Sequence, residues 1–304
     1  MTDKLQFVAV GKRIRTSKDN LKFLGHLSGE SIMSQAVSEI VSLGPPPREL
    51  ERVATAASQL DEAEPEKTLR WAFDEFQDSV TIATGFGAEG VALIDMAVRI
   101  NSHADIFFLD TAFLFAETYE LRRRLEDRYK IEIRAIKTEI TPERQELRFG
   151  AKLWSANPDL CCRLRKLEPL RDALRGRRAW MTAIRQDQTL ERSNARVVEW
   201  DYQWRLVKIN PLVRWTKRQV WEYIARNNVP FNPLHERGYP SIGCTHCTEP
   251  IGEGEDERAG RWAGRAKREC GMHVQERPTA LVSRTQMARH RLLTEVRRGG
   301  EQTT

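Results

Sequence analysis

Apolar residues in this chain fall into two rhythms that alternate from residue 80 onward. Val80-Thr81-Ile82-Ala83-Thr84 is a short, nearly continuous apolar run, the pattern of a buried strand. Gly85-Phe86-Gly87-Ala88-Glu89-Gly90 follows as a loop, and the spacing over 91–100 predicts a helix. The next strand is expected at 106–109, ending in Asp110-Thr111. A helix at 117–129, a strand at 131–136 and a turn or two of helix at 142–149 come after it. Asp159 to Lys166 leads into a basic helix, a fourth strand covers 179–184 and ends in Arg185-Gln186-Asp187-Gln188, and another covers 205–209. Thr216 is placed to cap a helix over 217–226. Strands alternating with helices predict an α/β fold with a doubly wound, mostly parallel sheet.

Two places in this pattern invite a ligand. Strand, glycine loop and helix over 80–100 offer backbone N–H groups and a helix N-terminus to a phosphate. The loop is neither G-x-x-x-x-G-K-[ST] nor G-x-G-x-x-G, so neither common nucleotide fingerprint applies, and a plain turn is the competing reading. Asp110-Thr111 stands where an open parallel sheet places ligand contacts.

The flanks read differently. Residues 1–47 form an extension with a strand expected at 5–10 and an apolar pattern at 32–43, closed by Gly44-Pro45-Pro46-Pro47, since consecutive prolines cannot continue a helix. Residues 48–60 and 66–76 read as helices that open a catalytic domain over 48–273, with Trp71, Phe73 and Phe76 as packing residues. Residues 274–304 form a basic tail with a helical pattern at 286–297. No internal repeat or low-complexity tract interrupts the chain.

Composition narrows the setting. Of 304 residues, 40% are apolar, enough for a sizeable core, and 30% are charged. No apolar run approaches the roughly 20 residues that span a bilayer, and Phe7-Val8-Ala9-Val10 is too short for a secretory leader. A cytoplasmic protein is expected, where cysteine pairs bind metal or do chemistry more often than they form disulfides. The net charge of +6 points to an anionic partner. The basic residues are scattered and no nucleic-acid signature accompanies them, so a small anion held by several Arg and Lys fits equally well.

Five cysteines supply the candidate chemistry. Cys161 and Cys162 are adjacent, and Cys244 and Cys247 form a Cys-x-x-Cys within a Gly- and Pro-containing turn. Four thiolates in two pairs suggest a metal site. Zinc accepts four sulfurs, but its structural sites use two separated knuckles, and neighbours on one backbone crowd a single small ion. A [4Fe–4S] cluster spreads its irons over a larger cube that adjacent cysteines can reach, so spacing favours the cluster. Unmetallated buried cysteines are the bland alternative, opposed by Arg163, Arg165 and Lys166, whose charge favours thiolates. Cys270 stands apart, with Lys267, Arg268 and His273 placed to lower its pKa, as a nucleophile would need. Gly271 beside it suggests a backbone that bends or approaches a ligand.

Taken in order, these segments resemble the assimilatory sulfonucleotide reductases, in particular the iron–sulfur adenylyl-sulfate (APS) reductases. The resemblance runs from about residue 80 to 273. It rests on Cys161-Cys162-x-x-Arg165-Lys166, Tyr239-Pro240-Ser241-Ile242-Gly243-Cys244-x-x-Cys247, Arg258-Ala259-Gly260-Arg261-Trp262 and Glu269-Cys270-Gly271-x-His273. Leu109-Asp110-Thr111 and Ala183-Ile184-Arg185 add to it. It implies a PP-loop nucleotide-binding fold of the adenine nucleotide alpha hydrolase-like type and one [4Fe–4S] cluster per subunit on Cys161, Cys162, Cys244 and Cys247. It also implies attack by Cys270 on the sulfate sulfur of APS, departure of AMP, and release of sulfite from an S-sulfocysteine by thioredoxin. Lys166, Arg258, Arg261 and His273 match the positions that hold the anionic groups, Arg185 a nucleotide contact, and Thr84, Gly85, Gly87 and Glu89 the loop facing the nucleotide. Cysteine biosynthesis through sulfate assimilation is the expected context, with neither membrane nor nucleic acid as partner and homo-oligomerisation left open. Gly90 stands where the family usually has an acidic residue, and Ala112 where Gly usually follows Leu-Asp-Thr. The chain also continues past His273, near which the family typically ends. The rivals are a reductase of 3′-phosphoadenylyl sulfate (PAPS) or of both nucleotides, a PP-loop ATP-dependent ligase, and an iron–sulfur sensor that binds nucleic acid.

Overall fold

The computed structural model describes residues 45–273. The strand expected at 5–10, the apolar pattern at 32–43 and the helical pattern at 286–297 lie outside the described residues. The chain separates into two units, Met1–Gly44 and Pro45–Thr304, and the second carries every element that follows.

Six strands make one sheet in the order β3-β2-β1-β4-β6-β5. They are β1 (Val80–Thr84), β2 (Ile106–Asp110), β3 (Ile133–Lys137), β4 (Ala179–Met181), β5 (Val198–Asp201) and β6 (Leu206–Ile209). All neighbouring pairs are parallel except β5 with β6, which run antiparallel. The chain lays β2 and β3 to one side of β1, then returns to place β4 on the other. That reversal opens a crevice at the carboxyl ends of β1 and β4, where open α/β sheets bind ligands.

Both faces of the sheet are covered, which is why β1 and β2 read as nearly continuous apolar runs. Ile106 and Phe108 of β2 pack into the larger core, while Phe107 and Leu109 turn to the opposite face and meet Leu170, Leu174 and Trp180. The larger core is closed by α1 (Pro47–Leu60), α2 (Pro65–Phe76), α3 (Ala88–Ile100), α4 (Ala116–Tyr129) and α9 (Lys217–Arg226). Each of the first two helices begins on a proline, whose missing N–H would be unpaired there in any case. Thr216 caps α9, and Gln219 answers with a bond back to the Thr216 N–H.

One carboxylate ties this helical layer together. Asp95 of α3 is fully buried and accepts from Tyr129 Oη at 2.6 Å, Tyr223 Oη at 2.6 Å and Arg99 Nε at 2.8 Å. Burial first, and then the Asp95 charge, push both tyrosine hydroxyls well above their usual range, so they stay protonated donors.

The other face carries α5 (Pro142–Phe149), α6 (Leu153–Ala156) and a longer helix assembled from three pieces. These are α7 (Pro158–Cys162), a wider π-type turn at Arg163–Leu167, and α8 (Glu168–Leu174). Among the described residues no helix is long and apolar enough to cross a membrane.

Three element boundaries differ from expectation. Helix α3 starts at Ala88, so Glu89 and Gly90 lie in its first turn rather than in a loop. β4 stops at Met181, because Thr182 turns its hydroxyl to Asn210 Oδ1 at 2.6 Å. β5 has no counterpart in the sequence reading. Its Glu199 and Asp201 are residue types depleted in strands, yet both are buried, and Glu199 is paired with Lys208 at 3.4 Å and Asn210 Nδ2 at 3.0 Å.

Candidate active site

A cavity of about 230 Å³ opens in the crevice at the strand ends. Thr84, Gly85, Gly87 and Glu89 line it from the β1–α3 junction, Thr111 from the end of β2, and Thr182 and Ala183 from the end of β4. Lys166 enters from the π-type turn. Ser241, Arg258, Arg261, Glu269, Cys270 and His273 close it from the C-terminal loops. Residues far apart in the chain therefore share one surface.

Arg185 stands behind that surface. It is 1% exposed, and its guanidinium donates to Glu89 at 2.9 Å, Glu257 at 3.4 Å and Asp187. With its donors engaged by carboxylates from three segments, it fixes the loops that shape the cavity instead of facing the cavity itself.

The two departures from the family pattern have local physical reasons. A Cβ on Gly90 would come within 2.8 Å of Thr84 Oγ1, and that hydroxyl accepts from Phe86 N at 3.1 Å. An acidic residue at 90 would have to displace it, so the two positions are coupled. Ala112 has φ of 60°, the left-handed region where a β-carbon costs about 1–2 kcal/mol. Its N–H donates to Asp110 Oδ1 at 3.0 Å and the following N–H donates to Thr111 Oγ1 at 3.2 Å, which hold the strained turn.

Positive charge dominates the cavity wall. Burial disfavours the Lys166 ammonium, but the negative charge that Cys244, Cys270 and Cys162 carry as thiolates favours it, and the net direction is upward. Arg258 is pulled down to about 10 by burial, against the opposing carboxylate of Glu269, and stays charged at neutral pH. Its Nε has no hydrogen-bond partner among the described residues. Arg192, which the sequence reading passed over, also lines the cavity. It holds Glu269 through two bonds of 3.1 Å and Gln188 through one of 2.6 Å.

His273 behaves differently from expectation. Burial, reinforced by Lys208, Arg192 and Arg258, lowers its pKa well below the usual imidazole value. It lies parallel to Trp180 at 5.7 Å, its Nδ1 is buried without a hydrogen-bond partner among the described residues, and it is neutral. It therefore brings a hydrogen-bonding group to the site, not a cation, and supplies no charge to Cys270. Lys267 is likewise committed elsewhere, to Asp159.

Cys161, Cys162, Cys244 and Cys247 line a second, adjoining pocket together with Arg165, Lys166 and Trp262. The Cys-x-x-Cys loop is pinned by Thr245 N to Phe113 O at 2.7 Å and by Trp262 N to Cys247 O at 3.1 Å. Thr111 Oγ1 lies 3.3 Å from Cys244 Sγ. Among the described residues no group of three or more His, Cys, Asp or Glu side chains is arranged to hold a single metal ion. Nearby cations pull these thiols toward ionisation, as expected, but for the free thiols burial outweighs them. Burial, with the neighbouring thiols Cys244 and Cys247, pushes Cys161 up to about 11. Burial likewise pushes Cys162 up to about 11, although Lys166 opposes it.

The pocket nonetheless suits a sulfur-bound cofactor. Its donors are four soft thiols, and two N–H groups of residues that line it, Arg165 Nη2 and Trp262 Nε1, are buried with no hydrogen-bond partner among the described residues. Cys270 belongs to the wall between the two pockets, packed with Cys162 and Trp262 and 7% exposed. Gly271 follows it with φ of 93°, a conformation that suits glycine.

A profile of the phosphoadenosine phosphosulfate reductase domain matches residues 79–250. The chain belongs to the APS/PAPS reductase family. Among its curated relatives, an adenosine 5′-phosphosulfate reductase from Halalkalibacterium halodurans is 46% identical over 206 residues, which are 67% of this chain and 89% of that protein. Adenosine 5′-phosphosulfate reductase 2 of Bacillus subtilis is also 46% identical over 206 residues, 67% of this chain and 87% of the relative. A crystal structure of PAPS reductase from Candida auris in a phosphate complex aligns with a TM-score of 0.61 and 32% identity, over 68% of this chain and 100% of that one. The sheet described above is thus the PP-loop type of α/β fold shared across this reductase family. The matched profile ends before Arg258, Arg261 and Cys270, so the part of the cavity wall that these residues form lies outside it.

Proposed function

We propose that this chain is an APS reductase: it converts adenylyl sulfate to sulfite and AMP, with Cys270 as nucleophile and a thioredoxin as reductant, in sulfate assimilation. The observation that carries the reading is the convergence of Cys270 with Lys166, Arg258 and Arg261 on one cavity at the strand ends. The Cys270 sulfur attacks the sulfate sulfur. The bond from that sulfur to the bridging phosphate oxygen breaks, and AMP leaves with the electron pair. Lys166, Arg258 and Arg261 are fixed cations for the charge that grows on the departing phosphate and on the sulfonate oxygens. The neutral imidazole of His273 offers a hydrogen bond there without adding charge.

The S-sulfocysteine is then attacked at Cys270 Sγ by one thiol of thioredoxin, releasing sulfite and leaving a mixed disulfide. The second thioredoxin thiol resolves that disulfide and regenerates Cys270, so the dithiol supplies both electrons. Cys161, Cys162, Cys244 and Cys247 would hold a [4Fe–4S] cluster, which when bound supplies a fixed electrostatic centre beside Lys166 and carries no electrons in the reaction. Because the thiols of Cys161, Cys162 and Cys247 sit above their usual range, loading them releases protons and is favoured by raised pH.

Curated relatives at 46% identity carry names specifying APS, whereas the aligned crystal structure is of a PAPS reductase. Use of both nucleotides is accordingly the second reading. The test is an assay of anaerobically purified protein, of measured iron and sulfide content, with thioredoxin and either nucleotide. The proposal predicts stoichiometric AMP and sulfite from APS and a higher kcat/KM for APS than for PAPS. Nucleotide binding without sulfite from either substrate would reject it.

A further inference from the structure

We infer that Gly243 is a positioning residue for Arg261: the space left by its missing side chain seats the guanidinium, so the Cys-x-x-Cys loop builds part of the anion site in the neighbouring cavity. The inference rests on the reading of Arg261 as a cation for the phosphate and sulfonate of the substrate, and it adds the feature that holds that cation in place.

Arg261 is 8% exposed and lines the cavity together with Gly243. Its own hydrogen bonds are long. Nε donates to the Cys247 carbonyl at 3.4 Å and Nη1 to Ser241 Oγ at 3.4 Å, outside the usual range of about 2.7–3.2 Å. Arg258, by contrast, is anchored by the Glu269 carboxylate at 3.2 Å. What fixes Arg261 is packing. Its guanidinium lies over the Trp262 ring at 4.6 Å. It also closes on Gly243 so tightly that a β-carbon there would meet Nη2 at 2.4 Å, Cζ at 2.6 Å and Nη1 at 3.0 Å. Those three are the atoms nearest that β-carbon, and all belong to one guanidinium.

The two sides of this contact yield unequally. The Gly243 N–H donates to Thr248 Oγ1 at 3.2 Å, that hydroxyl donates to the Cys244 carbonyl at 2.9 Å, and Cys244 bridges to Leu114. The backbone of Arg261 is likewise paired, with Thr248. Only the long side chain is free to give way. A β-carbon at 243 would therefore displace the guanidinium, by about 1 Å or more before ordinary contact is restored. Gly243 is absent from the positive-φ positions, so alanine carries no backbone strain there. Gly260 makes the contrast: its β-carbon would come within 2.1 Å of the Glu249 carbonyl oxygen, a backbone atom, so its smallness serves the fold. The smallness of Gly243 serves the place of one side chain. Fixed charges stabilise a transition state because they need no rearrangement, and a displacement of about 1 Å costs up to about a hundredfold.

The test is a double-mutant cycle on Gly243→Ala and Arg261→Ala in the full-length, cluster-loaded protein. It is read by calorimetric titration with ADP, whose β-phosphate takes the place of the sulfate in APS. Gly243→Ala is expected to bind ADP about tenfold more weakly, with iron content and urea unfolding midpoint unchanged. Arg261→Ala is expected to lose at least as much, and the double variant no more than Arg261→Ala alone. Wild-type affinity in either single variant, or losses that multiply in the double variant, overturns the inference. So does a Gly243→Ala protein that fails to fold or to hold iron, because alanine at 243 then disturbs more than the guanidinium. Wild-type protein that binds no ADP rejects the anion site and the inference together. No turnover is needed. Coupled losses without sulfite from APS keep the positioning role and reject the reductase reading; sulfite with independent losses does the reverse.

Discussion

Asp95 and Glu269 are both carboxylates withdrawn from water and held by several donors, yet their surroundings differ in one decisive respect. Asp95 is fully buried and joins α3, α4 and α9, and its donors Arg99, Tyr129 and Tyr223 lie outside the lining of the cavity at the strand ends. Glu269 rests on Arg192 and Arg258, whose side chains line a cavity of about 230 Å³. A buried charge with private partners serves as a joint, because removing any member strands the rest. A buried charge whose partners face a binding space is exchangeable, because another anion can satisfy the same donors. The first carboxylate belongs to the scaffold and the second to the wall of the site.

The sharpest separation of the two regions comes from Cys270→Ser. Its turnover should fall by roughly a thousandfold or more, the scale seen when an enzyme loses its nucleophile, while the urea midpoint and AMP affinity stay near wild type. A variant that keeps near-normal turnover would remove Cys270 from the chemistry. In the opposite region Asp95→Ala should destabilise the fold by about 3–5 kcal/mol, since three donors lose a buried acceptor, with kcat/KM per folded molecule unchanged. Equilibrium urea unfolding measures the first and active-site-normalised kinetics the second. A loss confined to activity would break the contrast.

Lys166→Ala comes next, with an expected loss of about a hundredfold in kcat/KM. Because Lys166 lines both the cavity and the cysteine pocket, the visible spectrum of the bound cluster should shift with AMP in wild type and respond less in the variant. Equal kinetics in both proteins would count against this bridging role. The smallest effect is expected between the regions, at the turn leaving β2. Ala112→Gly should stabilise the protein by about 1 kcal/mol, since it relieves a left-handed alanine, and thermal unfolding is sensitive enough to read it. A destabilised variant would show that the strain is paid back by the β-carbon's contacts.

Legibility followed how local each feature is. β1 and β2 were readable because strands buried on both faces are continuous apolar runs, and α9 because its cap and its periodicity lie within one stretch of chain. β5 was not, since Glu199 and Asp201 look like loop residues until Lys208 and Asn210 are brought beside Glu199. The cysteines, Lys166, Arg258 and Arg261 were readable as spaced motifs. Arg192 carried no such signal: it sits in a plain Thr-Leu-Glu-Arg turn, and its meaning comes from Glu269, far along the chain. The lowered pKa of His273 and the raised pKa of the paired free thiols were not legible for one shared reason. Both depend on burial, and neighbouring charges in sequence say nothing about the water that folding removes.

The central claim is that Cys270 forms a covalent bond to the sulfur of APS, and it can be tested with a single turnover. Protein purified without oxygen and shown to hold its cluster would be mixed with APS in the absence of any reductant, digested, and examined by mass spectrometry for a sulfonate on the peptide containing Cys270. The account predicts one adduct per subunit at that residue, discharged as sulfite when thioredoxin is added. An unmodified Cys270 peptide in protein that binds AMP, or a sulfonate on any other cysteine, would contradict it.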